Sequence, residues 1–362
     1  MGLRNILKWP IWFAELFTTA KSFNANRIIG NRHLNRLGLH VGRMRAAHVM
    51  TAWRRLLMRG TVDPDIRRRF HRDGFVMIEN FLDDEQFHVL RKEIVAFDGD
   101  LRRMMQGDTA TYQGLLDEEA VARMPVTGRL LRDSAFQALM MYTGAAYKLP
   151  MFFAHCVVNG YRFGAGDPQK DFHSDTFHPT MKAWLFLDEV DAASGPFNYV
   201  PSSHWLSKAR AGWEYEKSVA GRDLADTYAR RGSFRIAPEE LTKLGFEEPK
   251  QFVVKANTLV IADTFGFHRR GDAAPGTSRL AIYAYSRANP FNPFPALGPV
   301  TWRARIEQML TRRALRRADA TAERAGHPAS WHRVDTGEIR RHAKPPPASM
   351  ADDDRTASET AA

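Results

Sequence analysis

A single cysteine, Cys156, in 362 residues excludes an internal disulfide framework and suits a reducing compartment. It lies in the apolar run MFFAHCVVNGY and reads as a small buried hydrophobe. Acids are nearly absent from the first sixty residues, where eleven Lys or Arg face only Glu15, so +10 of the formal +11 charge sits there. The rest of the chain is close to neutral, with 41 basic against 40 acidic residues. Long apolar runs are missing too. Leu3 to Phe23 is interrupted by Lys8, Pro10 and Glu15, which excludes a membrane span, and it lacks the apolar run and cleavage site of a signal peptide. Ile6 stands where a myristoylation signal needs Ser or Thr. The letters His71-Arg72-Asp73 come without a Gly-rich phosphate loop or a correctly spaced Asn, which excludes a kinase reading. No nucleic-acid motif accompanies the basic stretch, so no nucleic-acid partner is expected.

What is present centres on Lys170 to His204, KDFHSDTFHPTMKAWLFLDEVDAASGPFNYVPSSH. His173 and Asp175 are two apart, which on an extended chain places an imidazole and a carboxylate on one face. With 13 His and 41 acids, a His-X-acid triplet arises by chance about once or twice, and His71-Arg72-Asp73 is such a copy. That copy ends a basic helical run at Asp73-Gly74, a turn dipeptide, and reads as structural. A 2-His-1-carboxylate site needs a second histidine from elsewhere and open positions on the metal; His268 is the candidate. The segment ANTLVIADTFGFHRRGDAAPGTSRLAIYAYSR, from Ala256 to Arg287, reads as strand, loop with His268, turn and second strand. On that second strand Arg279, Ala281, Tyr283 and Tyr285 share one face. An arginine opening a buried strand requires an anion, because the guanidinium keeps its charge, and a dicarboxylate would meet its planar fork in two parallel hydrogen bonds.

These motifs in this order, HSD, GPFNYVPSSH, and a histidine followed eleven residues later by an arginine, with DGFVMIENFLDDEQFHVLRKEI upstream, resemble the phytanoyl-CoA dioxygenase family of Fe(II)/2-oxoglutarate oxygenases. The resemblance covers Arg67 to Arg287. It implies a double-stranded β-helix (jelly-roll, cupin-like) and metal ligands His173, Asp175 and His268, which are also the catalytic set. It further implies 2-oxoglutarate on Arg279, Fe(II) as cofactor, and O2 consumed with release of succinate and CO2. Asp175 occupies the position that related halogenases leave open for halide, which favours hydroxylation. Ser202 stands where the family usually has glycine, a departure at a turn.

The chain divides into a basic amphipathic helical flank at 1–66, the oxygenase domain at 67–300, a basic helical extension at 301–345 and a disordered tail at 346–362. Helices ahead of many short strands indicate an α+β class. Asp83 opens a capped helix with Phe87, Leu90, Ile94 and Phe97 inward, and 128–144 reads as one further helix. Gly99 to Val126 shows little periodicity and reads as a loop beside the site entrance; Trp205 to Gly245 reads as either a substrate lid or a surface excursion. In the flank, Trp9, Trp12, Phe13, Leu16 and Phe17 form an aromatic stripe followed by many arginines, the pattern of an interfacial helix on an anionic membrane; packing on the core is the alternative. His33, His40 and His48 have no nearby acid and read as surface or packing residues. Trp302 to Arg317 reads as a basic amphipathic helix. The expected activity is hydroxylation of a lipid or acyl substrate, cytoplasmic and on the inner membrane face if the flank binds lipid. Two alternatives stand beside it: a hydroxylase of a soluble small metabolite, and a non-catalytic scaffold.

Overall fold

The computed structural model describes residues 8–162, 166–294 and 300–345. Its strands in chain order are β1 (Phe75–Ile78), β2 (Leu101–Gln106), β3 (Thr109–Leu115), β4 (Met151–Val158), β5 (Met181–Phe186) and β6 (Phe197–Tyr199), then β7 (Lys250–Gln251), β8 (Thr258–Asp263), β9 (His268–Arg270), β10 (Ser278–Ser286) and β11 (His332–Arg333). Eight of them form an antiparallel sheet in the order β1-β8-β5-β10-β4-β3-β2-β11, and β7-β6-β9 form a second sheet. The period of two along β10 explains how the major sheet is sandwiched. Leu280, Ile282 and Ala284 join Phe87, Leu90 and Ile94 of the helix Asp84–Val95 in the largest apolar core. Ala281 instead joins Phe197 and Tyr199 of the small sheet in a separate core. Two antiparallel sheets facing across a shared interior, with helices on the outer face, make an α+β double-stranded β-helix.

Several sequence expectations are corrected. The stretch from Gly99 to Val126 is mostly the hairpin β2–β3, paired from Leu101↔Gly114 to Gln106↔Thr109. Polar residues such as Arg102 and Gln113 line a cleft here, which erased the apolar alternation that signals a strand. The helix expected over 128–144 is two, Pro125–Arg132 and Ser134–Thr143, because Asp133 is extended and its carboxylate accepts from Phe136 N–H to start the second. Within 205–245, the helices Lys208–Val219 and Pro238–Lys243 contribute Trp213 and Leu241, and the segment between Thr227–Arg230 and Pro238–Lys243 contributes Phe234, to one core with Phe23 and Ile29. This insert is therefore clamped to the N-terminal segment, and none of its residues lines the main cleft.

The basic flank is not simply an outward attachment. In the helix Leu39–Leu57, Arg43, Arg54 and Arg55 are buried. Arg43 donates to the carbonyls of Leu16 (2.9 Å) and Ala20 (2.8 Å), and Arg55 pairs with buried Asp263 at 3.1 Å. His40 meets Glu214 at 3.1 Å and His48 packs edge-on against Phe265 at 4.5 Å, so both serve packing. The aromatic stripe is split: Trp12 is buried in the short helix Trp9–Glu15, while Phe13 and Phe17 are exposed. The C-terminal extension belongs to the domain as well. β11 adds to β2, Arg102 grips Asp319 of the helix Val300–Arg324 at 2.8 Å, and Ile339 is buried in the main core. The tail expected to be disordered, 346–362, lies outside the described residues.

Candidate active site

His173 and His268 are 95 positions apart in sequence, yet they pair backbone to backbone: each amide donates to the other's carbonyl at 3.0 Å. β9 places His268 opposite Tyr199 of the small sheet, and the Asp175 amide donates to the Thr264 carbonyl at 3.0 Å. Side chains from two distant stretches of the chain thereby converge. Asp175 Oδ1 lies 3.9 Å from His173 Nε2 and 3.7 Å from His268 Nε2, and the three candidate ligand atoms all lie within 4.8 Å of one another. The two separations of Asp175 from the histidines are short enough for a metal about 2.1 Å from each atom to be shared by Asp175 with either histidine.

The imidazoles are set up as ligands. Nδ1–H of His173 donates to the Asp171 carbonyl at 2.7 Å, and Nδ1–H of His268 donates to the Gly266 carbonyl at 2.9 Å. Those bonds fix the tautomer and leave both Nε2 lone pairs pointing into the gap. Both Nε2 atoms are buried and have no hydrogen-bond partner among the described residues. Burial holds His173 well below its ordinary pKa and brings His268 down to about 4, so both are neutral near pH 7. Burial alone would raise the Asp175 carboxyl. The attraction of Lys182, His268 and His173 outweighs it and keeps the group well below the usual carboxylate range. Lys182 Nζ holds Asp175 Oδ2 at 2.7 Å, so Oδ1 alone is left facing the histidines. Lys21 Nζ also donates to the Asp175 carbonyl.

Beside this cluster opens a cleft of about 580 Å³. His268, Arg279, Tyr283, Tyr285 and Trp184 line it, as the common face of β10 and the Lys182/Trp184 face of β5 dictate. Arg279 is 8% exposed, and among the described residues its guanidinium has no hydrogen-bonded or ion-paired partner. Burial, reinforced by neighbouring Arg270, lowers it to about 9, Asp167 only partly offsetting this; Asp167 is itself bound by Arg270. An uncompensated buried cation is the fit expected of a site for a small anion. His155, on β4 across from Ala281, is also in the cleft. Its Nδ1 accepts from Gln113 Nε2 at 3.2 Å, leaving Nε2–H as a donor near Arg279.

All four residues singled out in the sequence are thus in one site, His173, Asp175 and His268 as a cluster and Arg279 in the adjoining cleft. Lys182, Lys21, His155 and Gln113 were missed. Lys182 carried a readable signal, a lysine two residues before Trp184 in a strand otherwise apolar. Lys21 and Gln113 carried none, since only the fold brings them near.

Two histidines and a carboxylate with one open side, next to a cationic anion site, define the class of non-haem iron oxygenases. Residues 70–239 match the family "Phytanoyl-CoA dioxygenase (PhyH)". That family is one of Fe(II)/2-oxoglutarate-dependent oxygenases, and the cluster of His173, Asp175 and His268 could hold such a metal. The matched segment contains His173 and Asp175 and ends before His268 and Arg279. The chain resembles the epimerase SnoN from nogalamycin biosynthesis in complex with Fe3+, alpha ketoglutarate and nogalamycin RO (16% identity, 65% of this chain and 96% of that one, TM-score 0.41). It also resembles HygX from Streptomyces hygroscopicus with nickel and 2-oxoglutarate (15%, 62% and 86%, 0.39) and EctD from S. alaskensis with bound Fe (15%, 62% and 76%, 0.39). No curated protein matches the chain.

Proposed function

We propose that the chain hydroxylates an amphipathic, anionic substrate of lipid or acyl type, with His173, Asp175 and His268 holding Fe(II) and Arg279 holding 2-oxoglutarate. The observation that carries the substrate class is the lining of the cleft. Nine cationic side chains, Lys182 and eight arginines, face it against three acids, Asp100, Asp117 and Glu119, while aromatic rings cover its inner wall. Of the arginines, Arg316 at the outer end has no ion-pair partner among the described residues, as Arg279 has none at the inner end. A molecule with an apolar body and a negatively charged end matches that gradient.

Bound Fe(II) with 2-oxoglutarate supplies the oxidising chemistry, releasing succinate and CO2. The protein's part is positional. His173 and His268 present neutral Nε2 atoms, Asp175 presents Oδ1 while Lys182 restrains Oδ2, and Arg279 meets the far carboxylate of the cosubstrate with its planar fork. His155 offers Nε2–H as a second donor nearby. Trp184, Tyr283 and Phe153 exclude water from the space where the reacting C–H bond would lie. A carboxylate in the third position, with its second oxygen already bound, supports hydroxylation over transfer of a halide.

Hydroxylation of a soluble anionic metabolite is the second reading, supported by the nearly equal polar and apolar character of the cleft. The scaffold reading has against it two buried, unpartnered imidazole nitrogens aimed at one carboxylate. The test is anaerobic titration with Fe(II) and 2-oxoglutarate, reading the visible charge-transfer band of the chelate. Substrate-stimulated succinate formation then compares fatty acids and acyl thioesters with short soluble carboxylates. A band that forms in the wild type and is lost in Arg279→Ala and His268→Ala supports the assignment. Iron binding without 2-oxoglutarate would overturn the cosubstrate role, and stimulation by soluble carboxylates alone would favour the second reading.

A further inference from the structure

The helix Leu39–Leu57 carries apolar residues on both faces. Its inward face holds His40, Arg43, Arg54 and Arg55 among Val41, Met44 and Ala47, every one buried. Its outward face carries Val49, Trp53, Leu56 and Leu57, which are 60%, 44%, 49% and 49% exposed. Positions 49, 53, 56 and 57 follow the helical spacing of a single apolar stripe, and exposed Arg45 and Arg59 stand at its two ends. The buried arginines are spent on interior carbonyls and on Asp263, so they explain why this face turns inward. Nothing in the interior explains why hydrophobic side chains were placed outward.

The surroundings repeat the pattern. Ile11, Phe13 and Phe17 are more than half exposed, and Leu37 is 85% exposed. Phe17 packs on Phe291, and Arg54 donates to the carbonyls of Pro290 and Asn292, which joins the first helix, the segment after β10 and the helix Leu39–Leu57 into neighbouring surface. Along residues 8–60 the exposed charge is of one sign: Lys8, Arg27, Arg32, Arg36, Arg45 and Arg59 are exposed. The sole acid of the first sixty residues, Glu15, already accepts from Asn26 at 2.7 Å. The next acids are engaged as well, Asp63 capping the helix Pro64–Asp73 and Asp65 pairing with Arg68 and Arg69.

We propose that the outward face of Leu39–Leu57, together with the exposed aromatics of the first helix, docks on an anionic lipid surface. Aromatic and leucine side chains enter the interfacial zone while the surrounding cations meet lipid phosphates. A second copy of this chain fits less well, because two such faces would bring like charges together. The mode is peripheral: among the described residues no helix is long and apolar enough to cross a membrane.

The test is flotation of the full chain with vesicles of phosphatidylglycerol and phosphatidylcholine in equal parts, against vesicles of phosphatidylcholine alone. The variants are Trp53→Ser/Leu56→Ser/Leu57→Ser and Arg45→Glu/Arg59→Glu. All these positions are exposed, so binding of 2-oxoglutarate and the circular dichroism spectrum should stay unchanged in both. The expected result is salt-sensitive flotation of the wild type on the anionic vesicles only, weakened about tenfold or more in each variant. Absence of flotation at low salt, or equal flotation of the triple variant, overturns the proposal. So does a wild-type dimer that the triple variant converts to monomer, which would assign the face to a second copy.

Discussion

Arg279 tests the reasoning most sharply, because the structure makes it a cost to the empty protein. It is buried, has no acidic partner among the described residues, and sits beside Arg270. Its lowering to about 9 corresponds, at about 1.36 kcal/mol per pH unit, to a penalty of roughly 5 kcal/mol for a guanidinium sealed from water. The cleft admits solvent, and screening reduces that to about 1–2 kcal/mol. Arg279→Met should therefore raise the melting temperature of the protein without 2-oxoglutarate by roughly 1–3 °C, while losing two charge-assisted hydrogen bonds to the cosubstrate. At about 3 kcal/mol for that fork, affinity for 2-oxoglutarate falls roughly 150-fold. The pH dependence has a definite sign. Through neutral pH Arg279 is charged in both folded and unfolded states and the penalty is constant; it fades only as pH rises through about 9. Differential scanning fluorimetry with and without 2-oxoglutarate, on wild type and variant, reads all of this. If Arg279→Met melts lower than wild type without 2-oxoglutarate, the arginine has a structural partner and the anion-site argument fails.

Other outcomes follow from the same geometry. His173→Ala and Asp175→Ala should each abolish 2-oxoglutarate turnover measured as succinate; retained turnover would mean the ligands lie elsewhere. Gly266→Ala would place a Cβ 1.9 Å from the Tyr199 hydroxyl and shift the carbonyl that orients His268. A destabilisation of about 1–3 kcal/mol and a metal affinity lowered tenfold or more are expected, read by chemical denaturation and by Co(II) titration. His178 and His204 are both held down to about 3 by burial, so the unfolded chain takes up protons there that the folded chain refuses. Stability should therefore fall as pH drops from about 6.5 toward 3, with these two histidines contributing about two protons to the slope beside the other buried imidazoles, and His204→Gln should remove about one proton from it in a denaturation series against pH.

How far the sequence could be read follows from how local each signal is. His173 and Asp175 were legible because two residues on an extended chain share a face, and the faces of β10 because its alternation is unbroken. The partnership of His173 with His268 is a backbone pairing between distant segments, and only the resemblance to a family supplied it. The hairpin β2–β3 escaped because strands that line a charged cleft carry arginine and glutamine where a buried strand would carry valine. β11 escaped because two residues make no pattern. The buried arginines of the helix Leu39–Leu57 carried no signal in the sequence, because their acceptors come from distant segments. Arg43 has three carbonyls within its reach, Arg54 another three, and Arg55 a carbonyl and a buried carboxylate. A guanidinium that finds that many acceptors inside a fold no longer needs water. Periodicity therefore shows that a helix has faces without showing where each arginine goes; acceptors contributed by distant segments decide that, and in this chain they draw Arg43, Arg54 and Arg55 inside beside Met44 and Ala47 while Val49, Trp53, Leu56 and Leu57 stay outside.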